Sequence, residues 1–201
     1  IQFKKVIELA KMFEQEPEIF FPHQLDFRGR AYPIPMFLNP QGVEYSRALL
    51  KFSKGERMGN NPESVKWLKI HGANQYGEDK CSLTERIEWV EKNEQFILES
   101  AEQPLTHDFW KSADKPFSFL AFCFEWKSFK ENGANHLTHI PISVDGTCNG
   151  LQIFSLLLRD EIGGAATNLI PSDKPQDIYG IVADRCVEVL ENENSNELYK
   201  P

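Results

Sequence analysis

In this 201-residue chain, the feature best suited to chemistry is a single carboxylate delivered into a glycine-flanked turn. Within His139-Ile140-Pro141-Ile142-Ser143-Val144-Asp145-Gly146-Thr147-Cys148-Asn149-Gly150, the alternation of Ile140, Ile142 and Val144 predicts a short strand with Asp145 at its end. Gly146 and Gly150 carry no Cβ, so the backbone can turn tightly and a bulky ligand can come close. A carboxylate displayed in this way suits a hard divalent cation, which takes oxygen ligands. The competing reading is structural, because Asp-Gly is a common turn dipeptide and Asp145 could equally cap the helix that follows.

The elements needed to hold that turn are mostly helical, and the chain reads as α+β. Phe3, Val6, Ile7, Ala10 and Phe13 recur at helical spacing over residues 2–14, and Pro17 and Pro22 then open an extended loop or edge strand. Asn61-Pro62 is a helix start, with Val65, Leu68 and Ala73 facing inward and Gly77 as the stop. Ser82 and Glu85 form a capping box ahead of Ile87, Val90, Ile97 and Leu98. Phenylalanines and Trp126 surround the axis from Phe117 to Phe129, which predicts a helix buried on most sides. A further buried helix is expected from Leu151 to a stop at Gly163-Gly164, and a last one through Ile178, Val182, Cys186 and Val189.

Thirty acidic against twenty-two basic residues give a formal net charge of −8, the wrong sign for a dedicated nucleic-acid clamp. The acidic residues cluster at 85–102 and 188–197, however, whereas Arg28, Arg30 and Lys51 are the basic groups near the candidate site. Four widely spaced cysteines, with no Cys-x-x-Cys, exclude a zinc site and read as reduced thiols. The apolar run Phe117–Phe124 falls short of the roughly 20 residues a bilayer crossing needs, so no membrane association is expected.

Arg28 and Arg30 occupy alternate positions of an extended segment, which lets two guanidiniums serve different partners. The alternative is an internal ion pair of either arginine with Asp26 or Glu44. Tyr179 sits beside an apolar stripe and is as consistent with a core tyrosine as with a ligand contact. His71 and His139 read as structural, and Trp67 and Trp89 as packing residues.

The run Pro141-Ile-Ser-Val-Asp145-Gly-Thr-Cys-Asn-Gly150-Leu-Gln152 resembles the first palm signature of single-subunit DNA-directed RNA polymerases, the phage and organelle type. Phe21-Pro-His-Gln-Leu-Asp26-Phe-Arg28-Gly-Arg30-Ala-Tyr32 resembles an earlier palm segment of that family, and Trp67-Leu-Lys-Ile-His-Gly-Ala-Asn74 with Asp79-Lys80 resembles the stretch between the two. Arg159-Asp-Glu-Ile-Gly-Gly164, Asn168-Leu and Gln176-Asp-Ile-Tyr179-Gly-Ile-Val-Ala183 continue the resemblance in order. An ordered, collinear set is far more specific than any one short motif.

The resemblance implies part of a right-hand polymerase, the palm with the start of the fingers: the end of a thumb helix at 1–16, the first part of the palm at 17–161 and the beginning of the fingers at 162–201. It implies transcription from a DNA template by nucleotidyl transfer with two Mg²⁺ ions. Asp145 would be the catalytic carboxylate and metal ligand, with the Gly146 carbonyl as a backbone ligand. Arg28, Arg30 and Tyr32 would contact nucleic acid, while Asn149, Gly150 and Tyr179 would face the substrate and new base pair. The implied partners are the DNA template, nascent RNA and ribonucleoside triphosphates, in a monomeric parent enzyme. The implied location is the cytoplasm of an infected bacterium, or alternatively a mitochondrion or plastid. The chain is expected to be an interior fragment, inactive alone, because the family's second palm carboxylate and nucleotide-facing fingers helix come later. The rival classes are a metal-dependent nuclease or phosphatase, which would need a second carboxylate such as Asp160, Glu161, Asp173 or Asp177 close by, and a non-catalytic helical interaction module.

Overall fold

A computed structural model describes residues 1–59, 61–143 and 148–192. Contacts divide the chain into two compact units, one formed by residues 1–79 and 83–143 and the other by 80–82 and the chain after Ser143. In chain order the first contains α1 (Gln2–Phe13), β1 (His23–Leu25), β2 (Ala31–Pro33), α2 (Glu44–Ala48), β3 (Glu56–Arg57), α3 (Pro62–Tyr76), α4 (Leu83–Lys92), α5 (Glu94–Glu102), α6 (Pro116–Asn132) and β4 (Leu137–Thr138). The second contains α7 (Asn149–Leu158), α8 (Glu161–Ala166) and α9 (Ile178–Asn192). The mostly helical α+β class expected from the sequence is the class observed.

The first unit is organised around α6, against which α2, α3 and α5 pack, while α4 packs on α3. Its buried residues are Leu68 and Ala73 from α3, Val90 from α4, Ile97 from α5, and Phe119, Phe122, Cys123 and Trp126 from α6. Beside them Tyr76, Trp89, Phe109 and Phe119 form an aromatic cluster with ring centroids 4.5 to 6.3 Å apart, the offset and edge arrangements that π-systems favour. α6 is buried along this stripe rather than on most sides, because Phe117 and Phe124 are exposed. Trp89 packs as expected, but Trp67 is 42% exposed, with Lys66 over its ring.

Local signals explain the ends of several elements. Asn61 caps α3 by accepting a hydrogen bond from the Glu63 N–H at 3.0 Å, Pro62 takes the first helical position and Gly77 terminates the helix at φ 122°. The Glu44 carboxylate accepts a hydrogen bond from the Ser118 N–H, placing negative charge at the N-terminus of α6. The segment expected as one helix through Leu98 is split at Asn93, whose side-chain amide donates to the Trp89 carbonyl at 2.8 Å.

The strand predicted over 140–144 does not form at 140–143, and Val144–Thr147 lie outside the described residues. The pairing lies just upstream. β3 and β4 pair antiparallel with Glu56 opposite Thr138 and Arg57 opposite Leu137, and Phe52 N–H donates to the His139 carbonyl at 2.9 Å. Pro141 then ends the ladder, since it has no N–H to donate. Behind this ribbon Glu125, almost fully buried on α6, lies 2.7 Å from His136 Nε2. Burial pushes the Glu125 carboxyl up, but the hydrogen bonds it accepts, including that from His136, and the Lys51 ammonium hold it below its ordinary value.

In the second unit, the buried helix expected to run to Gly163-Gly164 stops earlier. Arg159 adopts a left-handed φ of 53°, and Asp160 starts α8 by accepting hydrogen bonds from the Ile162 and Gly163 N–H groups, both at 3.1 Å. Both glycines therefore lie inside α8. Gln152 donates to the Thr167 carbonyl at 2.7 Å and ties α7 to the end of α8. α7 is not buried as expected: Ile153, Phe154, Leu156, Leu157 and Leu158 are all exposed, because an apolar surface around most of the axis exceeds what two short helices can cover.

Candidate nucleic-acid interface

Residues 23–33 form a hairpin whose tip presents the predicted arginines. Gln24 stands opposite Tyr32 and Leu25 opposite Ala31. The loop closes through Asp26 N–H to the Arg30 carbonyl at 2.9 Å and Gly29 N–H to the Asp26 carbonyl at 3.0 Å. Gly29 has φ 77°, which a residue without a Cβ adopts freely, and this allows a three-residue loop of Phe27, Arg28 and Gly29. The Asp26 side chain holds the tip from inside, accepting from the N–H groups of Arg28 at 2.8 Å and Arg30 at 3.0 Å. Those bonds, the Arg30 N–H foremost, hold the Asp26 carboxyl below its ordinary value.

The two arginines have different partners. Arg28 makes the internal ion pair, reaching Asp26 Oδ2 at 3.1 Å through Nη2, and its guanidinium carbon lies 5.2 Å from the Phe27 ring centroid. The Arg30 guanidinium has no ion pair among the described residues, and the Glu44 carboxylate it could have met is engaged at Ser118. Arg30 is thus the cation left available for an external phosphate. Tyr32 is partly exposed on the same hairpin.

Phe27 was not anticipated as a functional residue, yet it is 95% exposed at the tip. Its signal in the sequence is an aromatic inserted between Asp26 and Arg28-Gly29, a turn that leaves no room to bury it. An exposed aromatic among cations offers a base a surface on which to stack.

The remaining predicted residues belong to the second unit. Asp145 and Gly146 lie outside the described residues. Asn149 and Gly150 open α7 and are exposed. Gly150 is helical, and a Cβ built on it would meet nothing within 4 Å among the described residues. Tyr179 is 71% exposed at the start of α9, which removes the core-tyrosine reading. The neighbouring Cys148 side chain pushes the phenol above its ordinary value.

Among the described residues no group of three or more His, Cys, Asp and Glu side chains could hold a metal ion, so no described residue is assigned as a ligand. Two of the carboxylates considered for a nuclease are otherwise engaged: Asp160 caps α8, and Asp177 Oδ1 accepts from the Tyr179 N–H at 3.1 Å. No helix among the described residues is long and apolar enough to cross a membrane.

Comparison with known proteins identifies the class. The chain belongs to the DNA-dependent RNA polymerase family, whose profile matches residues 58–200. It is 44% identical over 196 residues to the DNA-directed RNA polymerase of Enterobacteria phage T3 and, over the same length, to the T7 RNA polymerase of Escherichia phage T7, in both cases covering 98% of this chain and 22% of the relative. A mitochondrial DNA-directed RNA polymerase of Neurospora crassa is 40% identical over 199 residues, covering 96% of this chain and 14% of the relative. The chain therefore spans about a fifth of the length of the phage relatives it matches.

Proposed function

We propose that this chain is the part of a DNA-directed RNA polymerase that carries the first catalytic carboxylate of the palm. The observation that carries this reading is the collinear 44% identity to phage polymerases over 98% of the chain. Residues 1–16 are assigned to the end of the thumb, 17–161 to the palm and 162–201 to the start of the fingers. The partners are a DNA template, the growing RNA and ribonucleoside triphosphates. Relatives occur in phages and in mitochondria, and we place this chain with the phage enzymes, acting in the cytoplasm of the infected cell.

The reaction joins an RNA 3′-oxygen to the α-phosphorus of a nucleotide and releases pyrophosphate, with little covalent work for the protein beyond positioning and charge stabilisation. In the whole enzyme the Asp145 carboxylate and the Gly146 carbonyl are the oxygen donors this chain offers to Mg²⁺, and the bound ions supply charge that stabilises the entering and leaving oxygens. Arg30 binds a backbone phosphate, with Arg28 and Tyr32 beside it on a turn that Asp26 makes rigid. Asn149 and Gly150 face the new base pair, and Tyr179 lies on the nucleotide side. Among the described residues nothing lies within 4 Å of a Cβ placed at Gly150, which is compatible with that role.

The test is DNA-templated incorporation of ribonucleotides by the whole protein. The expected product is RNA complementary to the template. Cleavage of the nucleic acid without synthesis would favour the nuclease class, and neither activity would contradict the reading.

A further inference from the structure

The β3–β4 ribbon joins only two residue pairs, Glu56 with Thr138 and Arg57 with Leu137. A two-stranded ribbon is marginal in water on its own, and a slip of one residue moves a strand by about 3.4 Å along its axis. Its register must therefore be held by side chains, and the histidines at the two ends of β4 hold it.

His136 is buried, and both of its ring nitrogens meet α6. Nε2 lies 2.7 Å from Glu125 Oε1 and Nδ1 lies 3.3 Å from Ser128 Oγ. Residues three apart share one face of a helix, so the ring spans two fixed points on α6. A neutral ring donates to the carboxylate and accepts from the hydroxyl, while a charged ring donates to both, so either form keeps the same place. The His136 carbonyl accepts from the Met58 N–H at 2.9 Å, which ties the end of β3 to the same residue. Lys51, 3.6 Å from Glu125 Oε2, brings a third segment to that carboxylate.

His139 fixes the other end. Its Nδ1 lies 2.7 Å from the Phe52 carbonyl oxygen, which can only accept, so Nδ1 carries the hydrogen. The Phe52 N–H donates in return to the His139 carbonyl at 2.9 Å. The ring occupies space that Gly55 leaves open, since a Cβ at position 55 would lie 2.5 Å from His139 Nε2. Ile140 then packs against the core of the first unit, and Pro141 has a fixed φ. From this anchor the chain runs on to the segment that carries Asp145.

We propose that His136 and His139 are positioning residues for the polymerase reaction: they hold β4 in register on α6 and on the Phe52–Gly55 segment, and so fix where the chain that carries Asp145 leaves the first unit. The proposal rests on the polymerase reading. Its force comes from scale, because a misplacement of about 1 Å can cost about 10²-fold in rate, and one step of register is more than that.

The experiment is single-nucleotide addition by the whole protein on a DNA template, with the maximal rate, the nucleotide KM and the template affinity measured for each variant. Hydrogen exchange at the Phe52 and Met58 amides is followed in the same protein, and thermal unfolding gives the folded fraction. His139→Phe keeps a ring but removes the donor, whereas His139→Asn places an amide donor near the position of Nδ1. His139→Phe should lower the maximal rate by about 10²-fold, leave KM and template affinity unchanged, and speed exchange at Phe52. His139→Asn should restore both the rate and the protection. Gly55→Ala, whose methyl takes the place of the ring, should behave as His139→Phe does. Glu125→Gln, which removes the charge that His136 meets, should lower the rate and speed exchange at Met58; no change in either would remove His136 from the proposal. Full rate in His139→Phe, an Asn variant as slow as the Phe variant, or a loss of template affinity in step with rate would overturn the assignment of His139. A rate that merely tracks the folded fraction would overturn the proposal, since the histidines would then serve stability alone. Absence of synthesis by the natural protein would overturn the polymerase reading and this inference with it, whereas normal synthesis by both the natural protein and the variants would overturn this inference alone.

Discussion

Replacing Gly72 with alanine should loosen the packing of α3 against α6, and the expected cost follows from one contact. A Cβ at position 72 would lie 2.3 Å from Phe122 Cζ and 2.6 Å from Cε2. The ring cannot simply swing away, because Phe122 is fully buried between Phe119 and Trp126, with centroids at 5.8 and 6.1 Å. Overpacking of a filled core typically costs about 1–3 kcal/mol. Alanine is favoured over glycine within a helix by about 0.8–1.0 kcal/mol, which leaves a net loss of up to about 2 kcal/mol. For a chain of this size that lowers Tm by up to about 8 °C. The assay is thermal and urea unfolding of the chain, read by near-ultraviolet circular dichroism from the aromatic cluster. Phe122→Leu in the same chain removes the ring that alanine strikes, so the double variant should lose less stability than the sum of the single losses, with a coupling of about 1 kcal/mol. A higher Tm for Gly72→Ala, or strictly additive losses, would refute this account of the α3–α6 contact.

Arg30→Ala should weaken binding to template-length DNA and reduce the salt slope by about one phosphate contact, whereas Arg28→Ala, whose guanidinium is held by Asp26, should change the slope less; equal effects in a fluorescence-anisotropy salt titration would contradict the division of roles. The Asp26 carboxyl is held below its ordinary 3.8 in the folded hairpin, so its stabilisation of the turn is complete above about that pH and is lost as the pH falls through the lower folded value. The Gly29 amide resonance should report that loss in the natural chain and show none of it in Asp26→Asn, which keeps an acceptor oxygen but has no proton to gain. Gly150→Ala should leave Tm unchanged or raise it by a few degrees, because nothing among the described residues lies within 4 Å of the added methyl and alanine favours the helix, while RNA synthesis by the whole protein falls; unimpaired synthesis would remove Gly150 from the substrate face.

Much of the helical framework was legible because its signals are local. Asn61-Pro62 and Gly77 mark α3 to the residue, since a cap side chain, a locked φ and a left-handed terminus are properties of single positions. The strand predicted at 140–144 does not form over the described residues 140–143 because alternation says nothing about partners, and Pro141 has no N–H with which to extend the ladder formed by Leu137–Thr138. α7 was misread as buried because an apolar sequence records what a surface is suited to, not what lies against it in a given chain. At the hairpin, position alone could not separate Arg28 from Arg30. The distinction depends on which guanidinium the Asp26 carboxylate captures, a geometric fact that the tight turn at Gly29 determines. Phe27 escaped notice for a similar reason, as its exposure is a property of the folded chain.

The central claim, that this chain brings the catalytic carboxylate to an RNA polymerase, is tested most directly by Asp145→Asn in the whole protein. RNA synthesis and template affinity would be measured side by side. The substitution removes one negative charge and almost no volume, so the account predicts loss of nucleotide addition with template binding essentially unchanged. Elongation at the natural rate by the Asn variant would contradict it.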